Sequence, residues 1–103
     1  EWADDHYQFQ LCIVSSGSSA TIKAALKKLE IESYFDFLIT ADDVESAKPS
    51  PEGFLKALAL GGSTNKEAIV FEDSAAGFQS ALNANIPFVE VTQNFWKDIN
   101  KFI

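Results

Sequence analysis

The sequence has few of the residues that most often carry chemistry by themselves. It holds one cysteine, Cys12, and one histidine, His6. A lone cysteine excludes an internal disulfide. Its place inside the apolar run Leu11-Cys12-Ile13-Val14 assigns it to a small core residue. That usage fits a reducing, cytoplasmic setting. His6 has no second histidine or cysteine near it and reads as a surface or packing residue. Positive charge is also scarce: eight basic residues face fifteen acidic ones, a net charge of −7. That balance disfavours nucleic acid and anionic membranes as partners. No apolar stretch approaches the roughly 20 residues of a membrane span, and no signal-peptide pattern is visible. A small anionic substrate is not excluded, but it must be received by a metal, a lysine or backbone N–H groups.

What is present is a core. Of 103 residues, 47% are hydrophobic, with nine Phe and two Trp, enough for one small domain. The chain does not open on Met, which fits a processed chain or part of a longer protein. The run at 11–14 predicts a buried strand. Ile22, Leu26 and Leu29 then recur at helical spacing, and a loop serine is placed to cap that helix. A second strand is expected at 37–40. Lys48-Pro49-Ser50-Pro51 stops the chain and restarts it as a helix with Ser50 as cap, Phe54, Leu55 and Leu58 as apolar stripe, and Gly61-Gly62 as terminator. A third strand at 68–71, a helix over 74–84 with a small face of Gly77, Ala81 and Ala84, and a fourth strand at 88–91 follow. Phe95, Trp96, Ile99 and Phe102 predict a short amphipathic helix at the end. Alternating strands and helices define an α/β fold with a mainly parallel sheet. Ligands of such sheets bind at the carboxyl ends of the strands.

Three post-strand segments carry polar chemistry. Ser15-Ser16-Gly17-Ser18 offers hydroxyls and N–H groups that can cradle a phosphate at a helix start, or can simply cap the helix. Lys48 is either a solvated charge or, with Pro49 fixing the backbone beside it, a cation held at the strand ends. Glu72-Asp73 follows the apolar run Ala68-Ile69-Val70-Phe71 directly. Carboxylates there need a partner. A hard cation such as Mg²⁺ takes one or two of them together with phosphate oxygens and water. The alternative is that Asp73 caps the next helix.

Taken in order, these segments resemble the motif series of the haloacid dehalogenase-like hydrolases. Val14-Ser15-Ser16-Gly17 resembles their second motif, Ala47-Lys48-Pro49-Ser50-Pro51 the third, and Val70-Phe71-Glu72-Asp73-Ser74-Ala75-Ala76-Gly77 the fourth. The last two look most like the phosphoglycolate phosphatase and β-phosphoglucomutase branch. Thr40-Ala41-Asp42-Asp43-Val44 sits where that branch has an acidic loop. The resemblance implies a Rossmann-like, three-layer α/β/α core and a Mg²⁺-dependent phosphohydrolase of small phosphorylated metabolites. It further implies that Ser15, with the backbone of Ser16 and Gly17, binds the phosphoryl group. Lys48 then balances charge between phosphate and nucleophile, and Glu72 and Asp73 hold Mg²⁺. Family members transfer the phosphoryl group through an aspartyl-phosphate.

The family's first motif, Asp-x-Asp, supplies that nucleophile, and the sequence does not contain it. The inserted cap of this branch is missing too. Residues 1–103 therefore read as the carboxyl-terminal part of a hydrolase core, with motifs two to four and an incomplete sheet. The strand carrying the nucleophile lies, in the family, between the Ser15 strand and the Glu72 strand. Those two strands are expected either to face each other across a gap, filled by another segment or by self-association, or to pair directly. Three other functions compete: a phosphomutase, a non-catalytic truncated module that binds phosphate or a partner, and, more weakly, a phosphoryl-accepting receiver domain, whose acids would come before its lysine rather than after it.

Overall fold

The structure, a computed structural model, describes residues 9–92. The lead-in containing His6 and the helix expected at 95–102 lie outside the described residues. Strand β1 (Cys12–Val14) leads through helix α1 (Ser19–Lys28) to β2 (Phe37–Ile39). Helix α2 (Glu52–Gly61) then carries the chain to β3 (Val70–Glu72), and α3 (Ala75–Asn83) joins β3 to β4 (Phe88–Glu90). Single 3-10 turns lie at Glu32–Tyr34, Ala41–Asp43 and Asn65–Glu67.

Both strand pairs are parallel. Ile13 lies opposite Leu38 in one, and Phe71 opposite Val89 in the other. Each pair is a strand–helix–strand unit, as parallel neighbours require. Among the described residues β1 and β3 do not pair, so the strands form two two-stranded sheets rather than one. Direct pairing of the Ser15 and Glu72 strands is therefore not the solution this chain adopts.

Local chemistry sets the helix ends. Ser18 accepts from Thr21 N to cap α1, and Ser74 accepts from Gly77 N to cap α3. The cap of α2 falls one residue later than expected, at Pro51, while Ser50 Oγ still receives Glu52 N at 3.2 Å. Gly62 ends α2 in the left-handed conformation, φ 65°, which needs no Cβ.

The core gathers Phe54, Val70, Ala81, Ala84 and Ile86. Helix α2 packs on β1 and β2, and α3 on β3 and β4. The small face of α3 is buried as its sequence implies, with Gly77, Ser80, Ala81 and Ala84 inside. Two expected stripes are only partly used. Leu29 of the α1 stripe and Leu55 of the α2 stripe are exposed. Strand β1 is half-buried rather than buried on both faces.

Candidate active site

The carboxyl ends of β1 and β3 are joined by one side chain. Lys48 Nζ donates to Val14 O at 3.0 Å and to Glu72 Oε2 at 2.8 Å. The Lys48 side chain is 14% exposed and that of Glu72 11%. The ammonium also lies 5.2 Å from the centre of the buried Phe54 ring, within cation–π range. Lys48 is therefore not a solvated surface charge. Two of its three N–H donors are committed within the described residues, which leaves one for an anion.

Glu72 is equally committed. Its Oε1 accepts from Asp73 N at 3.1 Å and from Ser74 Oγ at 3.2 Å. Burial pushes its carboxyl up, but Lys48, by hydrogen bond and by charge, together with the Asp73 and Ser74 donors, outweighs burial and holds it below the usual range. Asp73 is exposed, and the cap of α3 is Ser74, so the capping alternative for Asp73 does not apply.

Ser15, directly after Val14, places its backbone N–H on Ile39 O at 2.9 Å, extending the β1–β2 ladder by one rung. Its Oγ accepts from Gly17 N at 3.0 Å. Ser19 N donates to Asp42 Oδ2 at 2.8 Å, and Ala41 N to Gly17 O at 3.0 Å, so the serine loop is tied to the acidic turn. Ser16 N has no acceptor among the described residues. A cavity of about 130 Å³ opens here, lined by Ser15, Ser16, Thr40, Val44, Lys48 and Gly53 among others. The fold thus brings Ser15, Ser16 and Lys48 to one cavity. It sets Glu72 behind Lys48 and leaves Asp73 in solvent beside it.

Mg²⁺ is the cation the family resemblance implies, so the donors can be tested against it. Among the described residues no group of three or more His, Cys, Asp or Glu side chains is placed to hold a metal ion. Asp73 fits as one carboxylate ligand. Glu72 is adjacent, but both its oxygens already accept hydrogen bonds. A magnesium ion ordinarily takes one or two carboxylates together with phosphate oxygens and water, so these residues alone do not complete such a site.

Glu52 carries a role that local sequence patterns do not announce. Its carboxylate accepts from Glu45 N, at 3.1 Å on one oxygen and 3.0 Å on the other, and from Ser46 N at 2.9 Å, so it clamps the loop that walls the cavity. Lys56, one turn on, pairs with Glu52 at 3.4 Å and donates to Asp43 O. The backbone donors of Glu45 and Ser46 hold the Glu52 carboxyl below its ordinary 4.5. Thr40 does the same to Asp43 and Thr64 to Glu67. A carboxylate with a lowered folded value stabilises the fold above its unfolded value and loses that contribution as pH falls through the folded one. Resistance to urea is therefore expected to hold down to about pH 5 and to fall below about pH 4.5. Glu52→Gln should flatten the acid limb, and an unchanged limb in that variant would refute the clamp.

The fold and these placements define a class: an α/β core of parallel strands whose polar groups converge at the strand ends. The chain belongs to the haloacid dehalogenase-like hydrolases, whose sequence profile matches residues 5–91. The validoxylamine A 7'-phosphate phosphatase of Streptomyces hygroscopicus subsp. limoneus is 42% identical over 82 residues, 80% of this chain and 38% of its own length. The fructose-1-phosphate phosphatase YqaB of Escherichia coli is 33% identical over 84% of this chain and 46% of its own length. The crystal structure of a HAD phosphatase from Thermococcus onnurineus superposes with a TM-score of 0.79 at 32% identity, over 90% of this chain and 43% of that one. The chain thus spans less than half the length of the curated relatives it matches.

Proposed function

We propose that this chain is the carboxyl-terminal part of the core of a Mg²⁺-dependent phosphohydrolase acting on a small phosphorylated metabolite. The observation that carries the reading is Lys48, desolvated between Val14 O and Glu72 and lining the same cavity as Ser15 and Ser16. A phosphoryl group in that cavity would meet the Ser15 hydroxyl, the Ser16 N–H and the remaining Lys48 donor. Such preorganised donors stabilise the spread negative charge of phosphoryl transfer. Asp73, seconded by Glu72, would hold Mg²⁺, which when bound neutralises phosphoryl oxygens. Gly17 supports the Ser15 hydroxyl through its N–H. Named phosphatases of sugar-like phosphates among the relatives support the substrate class.

The sequence contains no Asp-x-Asp. We assign the phosphoryl-accepting aspartate to a segment outside these residues, bound across the gap between β1 and β3. The 103-residue chain alone is then expected to release no phosphate from sugar phosphates in Mg²⁺. Turnover by that chain, lost on Lys48→Ala, would overturn the assignment. The absent motif favours the second reading, a non-catalytic module. A longer natural protein that carries Asp-x-Asp and yet gives Mg²⁺-dependent turnover unaffected by Asp73→Asn would count against the placement of the metal.

A further inference from the structure

Lys48 is gripped at its tip, but its backbone also has to be held. The turn that carries it, Lys48-Pro49-Ser50, presents its carbonyls to α3. Ser80 Oγ donates to Ser50 O at 2.6 Å, and Asn83 Nδ2 donates to Pro49 O at 3.0 Å. Ser80 is 1% exposed. A buried mid-helix hydroxyl ordinarily bonds back to the carbonyl one turn earlier, whereas this one reaches 30 residues along the chain. The Asn83 amide is itself oriented, since its Oδ1 accepts from Gln79 Nε2 at 2.9 Å. Positions 77, 80 and 83 are three apart and share one side of the helix. Gly77 borders Glu72, and Ser80 and Asn83 hold the turn.

We propose that Ser80 and Asn83 are positioning residues for Lys48. They fix the turn so that its ammonium spans the ends of β1 and β3. Each supplies a directional donor to a carbonyl within two residues of Lys48. Neither lines the cavity, so each acts through the turn that carries Lys48 and Ser50, and the Lys48 ammonium reports that hold directly. The proposal deepens the reading of Lys48 as the cation that meets the phosphoryl group and depends on that reading for its functional meaning.

The test is the ammonium proton signal of Lys48 in ¹⁵N-labelled 103-residue chain, identified by its absence from Lys48→Ala. A held ammonium exchanges its protons slowly and gives a signal; a released one exchanges with water and does not. Asn83→Ala, at an exposed position, should speed this exchange roughly tenfold, as expected for one lost hydrogen bond. Ser80→Ala should do the same, and the double variant should lose the signal. Leu26→Ala lowers stability from α1 without touching the turn and serves as the control. A signal unchanged in Asn83→Ala and in folded Ser80→Ala, or lost equally in Leu26→Ala, overturns the proposal. Because the spectrum needs no turnover, a dependent signal in a longer protein without phosphatase activity would count against the phosphohydrolase reading and not against this one.

Discussion

In the longer phosphohydrolase proposed above, Lys48→Ala is expected to lower phosphate-ester turnover by about 10²–10³-fold, the effect of removing one preorganised donor to a developing oxyanion. It is also expected to destabilise this chain by about 2 kcal/mol, somewhat less than the loss of one partner of a fully buried ion pair. The two effects have separate origins. Catalysis loses the donor at the cavity. Stability suffers because the variant leaves Glu72 partly buried without its cation. The loss is moderated because Glu72 keeps the donors of Asp73 N and Ser74 Oγ. Initial rates with a sugar phosphate in Mg²⁺ measure the first effect, and urea unfolding of the 103-residue chain measures the second. A variant as stable as the parent would show that the ammonium does not hold Glu72. A variant with parent turnover would remove Lys48 from the reaction.

Gly77→Ala should destabilise the chain by about 2 kcal/mol, although Gly→Ala inside a helix ordinarily stabilises by about 0.5–1 kcal/mol. The sign is set by Glu72. A Cβ at position 77 would fall inside the Glu72 side chain, at its Cγ, Cδ and Oε2. Glu72 cannot step aside cheaply, because leaving would break its bonds to Lys48, Asp73 N and Ser74 Oγ. A double-mutant cycle decides the matter. In a Glu72→Ala background the obstacle is gone, and Gly77→Ala should turn stabilising. The same loss in both backgrounds would place the strain elsewhere in α3.

Much of the arrangement was readable along the chain because it depends on near neighbours. The terminator at Gly62 and the four strands within a residue or two follow from local backbone chemistry, whereas the cap of α3 falls on Ser74 and not on the Asp73 that the sequence offered. The candidate residues Ser15, Lys48, Glu72 and Asp73 were visible as polar groups directly after apolar runs or beside a proline. Gly77 was readable only as a small packing residue, while its stricter requirement comes from the Glu72 side chain folded over it. Glu52, Ser80 and Asn83 gave no signal, since their partners are fixed by packing rather than by spacing.

The sequence by itself determined the α/β alternation, the family and the set of polar residues at the strand ends, because hydrophobic period and turn chemistry act over a few residues. Only the tertiary structure decided how those residues divide their work. It parted the strands into two sheets, turned Glu72 toward Lys48, and left Asp73 in solvent. The physical reason is competition for partners. A half-buried carboxylate takes the nearest cation or donor, and which one is nearest depends on residues that the chain separates by 24 positions and the fold brings within 2.8 Å.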